Sequence, residues 1–274
     1  MQYVPTTYMN VRKNLMIENI VNWISDYAKD NKLTTLVIGV SGGIDSAVTS
    51  TLCAMTGLRV IVLNMPIHQD KTLDSMSDKH IDWLKEKYTN VESQKIDLTK
   101  TFEMFSDCFE ERDKDSLSLA NSRARLRMTA LYQIAGANGG LVVGTGNRVE
   151  DFGVGFFTKY GDGGVDISPI ADLIKTEVWE IAKELEIEEE IINAPPTDGL
   201  WDDGRTDEEQ LGASYAEIEM AMAYAEEHDL HDFEPTGNNS FDLVLKAYFS
   251  HRNKNIHKMK SIPIFKKDKI CFVQ

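Results

Sequence analysis

Short, almost wholly apolar runs set the limits on what this chain folds into. Residues 33–40, LRVIVLNM at 58–65 and LVVGTG at 141–146 are rich in β-branched side chains and too short for buried helices. A strand with one wet face would alternate polar and apolar residues, so these read as strands buried on both faces. Helical patterns separate them. Ile17, Ile20, Val21, Ile24, Tyr27 and Ala28 mark one face of a helix over residues 11–30. Further helices are expected at about 46–55, stopped by Gly57 as a left-handed residue, at 72–88, and at 118–137, where Ala124, Met128, Leu131 and Ala135 form a stripe. A further strand is expected near 91–96, and residues 100–118 are charged with a weaker pattern. Strands alternating with helices define an α/β fold, a doubly wound parallel sheet with helices on both faces and right-handed crossovers.

After residue 165 the pattern turns helical. SPIADLIKTEVWEIAKELEI reads as a helix behind Ser168-Pro169, PPTDGLW as a break, and RTDEEQLGASYAEIEMAMAYAEEHDL as a helix with an acidic surface. No Gly-, Ser- or Pro-rich linker interrupts the chain, so residues 1–274 are expected to form a single domain with a helical C-terminal elaboration. Residues 195–212, full of turns, are read as a lid.

A net charge of −15 excludes nonspecific binding to nucleic acid or to an anionic membrane, both of which demand a basic surface. No run approaches the roughly 18 apolar residues of a membrane span, and the N-terminus lacks a signal-peptide core. Cys53, Cys108 and Cys271 show no CxxC or Cys/His zinc spacing and fit a reduced, cytoplasmic setting.

Three loops leave the carboxyl ends of expected strands, at 41–46, 64–70 and 144–150, the edge at which such sheets bind ligands. In the first, Ser41-Gly42-Gly43-Ile44-Asp45-Ser46 opens a helix. Its small residues let the N–H groups of 42–46 converge on an anion, helped by the helix N-terminus and the Ser46 hydroxyl. Asp45 would repel a phosphate unless a cation lay between them, so it reads as a Mg2+ ligand. No lysine follows Gly43 as a Walker A loop requires, and G-x-G-x-x-G spacing is absent. No Ser-His or Cys-His nucleophile arrangement is evident either.

SGGIDS after a buried strand resembles the pyrophosphate loop of the ATP-pyrophosphatase superfamily, whose adenine-nucleotide alpha-hydrolase-like members cleave ATP between the α and β phosphates. Residues 142–185, with GFFTKYGDGG at their centre, resemble the signature of the ammonia-dependent NAD synthetase family. That resemblance runs from about residue 10 to the C-terminus. It implies ATP-dependent amidation of nicotinate adenine dinucleotide (deamido-NAD) by ammonia through an acyl-adenylate, giving NAD, AMP and pyrophosphate. It implies small-molecule partners only (deamido-NAD, ATP and ammonia), a homodimer with the dinucleotide at the subunit interface, and no glutamine amidase domain.

By the same resemblance Gly39, Val40, Ser41, Gly42, Gly43, Ile44, Asp45 and Ser46 touch ATP, as do Thr145, Lys175 and Thr197. Asp45 and Glu150 hold Mg2+; Lys175 stands in for the missing Walker lysine at the phosphates. Arg125, Lys159, Asp166, His257 and Lys258 are implied at deamido-NAD, with Lys159 close to the reacting nicotinate. Asp162 shares the glycine turn of Lys159, while Arg123 and Arg127, one helical turn apart, are read as pairing with nearby acids. The chain departs from several relatives at Asn64-Met65-Pro66, where they carry an arginine, and the stretch from Glu150 to Lys159 is one residue longer than in some.

Overall fold

The structure is a computed structural model describing residues 6–69, 71–197 and 206–266. Strands β1 (Thr35–Gly39), β2 (Arg59–Asn64), β3 (Val91–Lys95) and β4 (Gly140–Val143) form a parallel sheet in the order β3-β2-β1-β4. The register pairs Val37 with Ile61 and with Val142 across the centre. Among the described residues the helices are α1 (Thr6–Asp30), α2 (Ile44–Met55), α3 (Lys71–Lys87), α4 (Thr99–Ser106), α5 (Ser116–Ala137), α6 (Lys175–Glu184), α7 (Glu189–Ile192), α8 (Asp207–Leu211), α9 (Tyr215–Glu227) and α10 (Asn239–Met259).

The two-residue period of a strand sorts the apolar runs onto two faces. Leu36, Ile38, Val60, Val62, Leu141 and Val143 pack with side chains of α1, α2, α3 and α6. Val37, Ile61, Leu63 and Val142 pack with Met128, Leu131 and Ala135 of α5. Both faces are dry, as continuous apolar strands require. β3, the edge strand VESQK, buries only Val91, which explains its fainter pattern.

A third apolar cluster joins α8, α9 and α10 to Val149 and Val154 and forms the C-terminal elaboration. Here the structure corrects the sequence reading. Residues 168–174 are turns, and α6 starts only at Lys175. Ile170 and Leu173 have helical spacing, yet they enter the core from a turn segment fixed by Leu173 N–H to Ile170 O and Arg148 N–H to Leu173 O. The single helix expected beyond residue 205 is two. Gly212, at φ 76°, ends α8, and Ser214 caps α9 by accepting from Glu217 N–H. Helix α10 was not expected. The lid reading of 195–212 falls partly on residues 198–205, which lie outside the described residues.

Candidate active site

The loop after β1 is shaped by one backbone conformation. Gly42 has φ 87°, and a Cβ there would stand 2.5 Å from Leu73 O. Ser46 Oγ donates to Gly43 O at 2.9 Å and accepts from Ser41 N–H at 3.1 Å, closing the loop on the first turn of α2. Asp45 sits in that turn. Helix α2 is buried almost all round, and its Thr49 and Thr51 hydroxyls donate to the carbonyls of Asp45 and Ala47 at 2.8 and 2.7 Å.

β4 lies beside β1, so its exit loop meets the loop of β1. It runs into a π-helical segment, Arg148–Val154, the kind of helical irregularity often found at functional sites. Asn147 caps this segment: its Oδ1 accepts from Val149 N–H at 3.0 Å and Glu150 N–H at 3.1 Å. Those bonds fix the amide, and its Nδ2 donates to Asp45 Oδ1 at 3.1 Å. Lys175, the first residue of α6, is 1% exposed. Its Nζ donates to Asp45 Oδ2 at 2.6 Å and to Glu150 Oε1 at 2.9 Å. Tyr215 OH donates to the same Glu150 oxygen at 2.6 Å and lies 3.1 Å from Asp207 Oδ2.

Two carboxylates and one ammonium thus share a buried point. Burial pushes the Asp45 carboxyl up, and Lys175 only partly offsets it. Burial acts the same way on Glu150, but Lys175 together with the Tyr215 hydrogen bond outweighs it and holds that carboxyl low. Burial opposes the charge on Lys175, yet the two carboxylates prevail and raise its pKa.

The cluster opens on a cavity of about 610 Å3 lined by residues 39–46, Thr145, Glu150, Lys175 and Thr197. Every residue read as touching ATP lines this one space. Lys258 lines it too, its Nζ donating to Phe157 O, together with Asp151 and Asp162, whose carboxyls burial pushes up. The remaining substrate candidates lie elsewhere. Arg125 Nε donates to Lys159 O at 3.2 Å, and Lys159 Nζ stands 5.4 Å over the Tyr160 ring. Asp166 accepts Val142 N–H at 2.7 Å and Tyr132 OH at 3.0 Å. Their contact partners Tyr132 and Tyr160 line a second, more open groove with Met128 and Val165. His257 is exposed on α10 beside Lys258.

Arg127, read as pairing with nearby acids, instead donates to Met65 O at 3.0 Å and Gln69 Oε1 at 3.1 Å; Arg123 lies over the Phe102 ring. Asn64 donates to Asp74 and Asp78, both at 2.8 Å, and Lys95 Nζ bridges the same two acids at 2.9 and 2.7 Å.

Ser50 and His80 are bonded to each other, but away from the cavity. His80 stands 3.1 Å from Ser50 Oγ and 3.0 Å from Glu188 Oε2. Ser50 and His80 are 0% exposed and neither lines the cavity, so the chain of bonds braces α2 and α3 against the residue before α7. Asn147 and Tyr215 escaped the sequence reading. Asn147 carries a legible local signal, an Asn directly before a helical segment; nothing local to Tyr215 signals its reach to Glu150.

A parallel α/β sheet that delivers a glycine–serine loop, two acids and a buried lysine to one cavity at its carboxyl edge defines a nucleotide-binding enzyme of the pyrophosphate-loop class. Known proteins narrow this further. The family model described as NAD synthase matches residues 16–262. The NH(3)-dependent NAD(+) synthetase of Methanosarcina acetivorans is 37% identical over 252 residues, covering 89% of this chain and 95% of that protein. The enzyme of the same name from Carboxydothermus hydrogenoformans is 37% identical over 222 residues, covering 80% and 88%. Among solved structures, NMN synthetase from Francisella tularensis superposes with a TM-score of 0.78 at 30% identity, covering 93% of this chain and 98% of that one. NH3-dependent NAD synthetase from Campylobacter jejuni gives 0.73 at 28%, covering 93% and 99%. The chain belongs to the NAD synthase family.

Proposed function

We propose that this chain is a carbon–nitrogen ligase that amidates deamido-NAD with ammonia at the expense of ATP, releasing NAD, AMP and pyrophosphate. The observation that carries the site reading is the Lys175 ammonium held between Asp45 and Glu150 at the mouth of the 41–46 loop. The β and γ phosphates of ATP lie in that loop against the N-terminus of α2. Thr145 and Thr197 contact the nucleotide, and Lys175 meets the charge that develops on the leaving pyrophosphate. The nicotinate carboxylate attacks the α-phosphorus, forming an acyl-adenylate, and ammonia displaces AMP. The protein's part is to align the reactants and keep water from the mixed anhydride.

Asp45 and Glu150 suit Mg2+: they are hard oxygen donors, already converging on one cation, beside a cavity that admits phosphate and water ligands. When bound, the ion neutralises phosphate charge during displacement. Lys258 and His257 reach the dinucleotide from α10. Arg125, Lys159 and Asp166 contact it from beside Tyr132 and Tyr160, in a homodimer whose subunit interface holds that substrate. The reaction is assigned to the cytoplasm. Cys53 and Cys108 are free, and no described helix is long and apolar enough to cross a membrane.

The test is incubation with ATP, Mg2+, ammonium and deamido-NAD, following AMP and NAD. Absence of AMP removes the whole reading; AMP without NAD removes the substrate. A parallel arm supplies nicotinate mononucleotide, the choice raised by the Francisella likeness. A higher kcat/KM for the mononucleotide would transfer the assignment to NMN formation. Asp45→Ala and Glu150→Ala should each lower AMP formation by at least a hundredfold, and full activity in either would remove the proposed ion site.

A further inference from the structure

Glu150 has a flexible side chain; its backbone is held by the Asn147 cap, the π-helical turn and Phe156 N–H, which donates to Glu150 O at 2.7 Å. A carboxylate that must present one oxygen to a cation needs a second restraint. Tyr215 supplies it. The side chain is 1% exposed, its ring meets Trp179 edge-on at 5.8 Å, and Lys175 Nζ lies 5.0 Å from the ring centroid. Packed this way, the ring aims its hydroxyl at Glu150 Oε1, 2.6 Å away. The hydroxyl also lies 3.1 Å from Oδ2 of Asp207, the first residue of α8. Tyr215 thus holds the Glu150 carboxylate at Oε1, the oxygen that also accepts from Lys175.

We propose that Tyr215 is a positioning residue that fixes the Glu150 carboxylate for divalent-cation binding, from α9, an element that lines none of the phosphate loop. The inference rests on the Mg2+ reading given above. Groups that orient a metal ligand typically contribute 10–100-fold in metal affinity.

Tyr215→Phe removes the hydroxyl while keeping the ring and its contacts with Trp179 and Lys175. Mn2+ binding to the protein is measured by electron paramagnetic resonance in the presence of a non-hydrolysable ATP analogue. The variant should bind Mn2+ at least about tenfold more weakly than the wild type, and the half-saturating Mg2+ for AMP formation should rise in step. Tyr224→Phe, a tyrosine of the same helix remote from the carboxylates, should leave both unchanged. If wild type binds Mn2+ and Tyr215→Phe binds it within twofold, the positioning role is overturned while the ion site stands. If wild type itself binds none, the ion site falls and this inference with it. Tyr215→Met, which fills the space without a hydroxyl, carries the same comparison should the phenylalanine variant not fold.

Discussion

Gly42 shows how one residue sets the site. Its positive φ places the loop where a side chain would collide with Leu73 O at 2.5 Å, a backbone atom that does not yield easily. Gly57 shares the left-handed conformation, at φ 72°, but nothing lies within 4 Å of a Cβ built there. Gly57→Ala therefore carries the conformational strain alone, about 1–2 kcal/mol, while Gly42→Ala adds a clash that moves the phosphate loop. Urea denaturation should show both variants destabilised, Gly42→Ala by about 1–3 kcal/mol. Only Gly42→Ala should raise the KM for ATP, by about tenfold or more; a KM within twofold of wild type would show that the loop tolerates the shift. Gly42, Asp45 and Ser46 were legible because their chemistry is local, a strand, a turn and a helix start within a few residues. That Asn147 and Tyr215 are partners of the acids was not. Asn147 bonds Asp45 across 102 residues and Tyr215 bonds Glu150 across 65, and no local periodicity encodes such distances.

At the scale of elements, the start of α6 decides where Lys175 points. The residues before it carry apolar side chains at helical spacing, which is why the sequence suggests a longer helix. What stops the helix there is satisfaction of its first N–H groups. Glu177 accepts from Ile174 N–H at 3.0 Å, and Glu219 of α9 accepts from Thr176 N–H at 3.0 Å and Thr176 Oγ1 at 2.8 Å. The second of these caps comes from another helix, so the boundary is a tertiary property that sequence pattern does not carry. Glu219→Ala should cost about 1–2 kcal/mol in denaturation, the usual cost of a lost cap, and should also lower kcat for AMP formation several-fold by loosening Lys175. Glu217→Ala, which removes the cap bond to Ser214 N–H of α9 at 2.8 Å, should lower stability alone. Equal kinetics in the two variants would uncouple the α6 start from the chemistry. The strands, by contrast, were read to within one to three residues at each end, because a strand buried on both faces is a continuous apolar run that few other elements imitate. β3 was the faintest, being polar at the sheet edge.

In the whole molecule, the strand order brings together what the chain keeps far apart. β1 and β4 are neighbours, and residue 167 bridges to Val143, so the chain after the glycine turn returns beside the sheet and delivers Lys175 to acids 130 and 25 residues away. The ammonium then occupies the place between Asp45 and Glu150 that a divalent ion would take. The two cations compete for that place: two charges against one at about 4 Å repel by on the order of 8 kcal/mol at an effective dielectric constant near 20, against the attraction of the two carboxylates. A triphosphate removes the conflict by accepting Lys175 and sharing the ion. Divalent-ion binding should therefore depend on nucleotide. By titration calorimetry, Mn2+ should bind nucleotide-free protein at least about a hundredfold more weakly than protein loaded with a non-hydrolysable ATP analogue, a difference of about 2.7 kcal/mol. Lys175→Met should reverse the order of events, strengthening Mn2+ binding to the nucleotide-free protein while weakening binding of the analogue. Mn2+ affinity equal with and without nucleotide in the wild type would mean that the lysine leaves the acids freely, and that the ion site is open before ATP arrives.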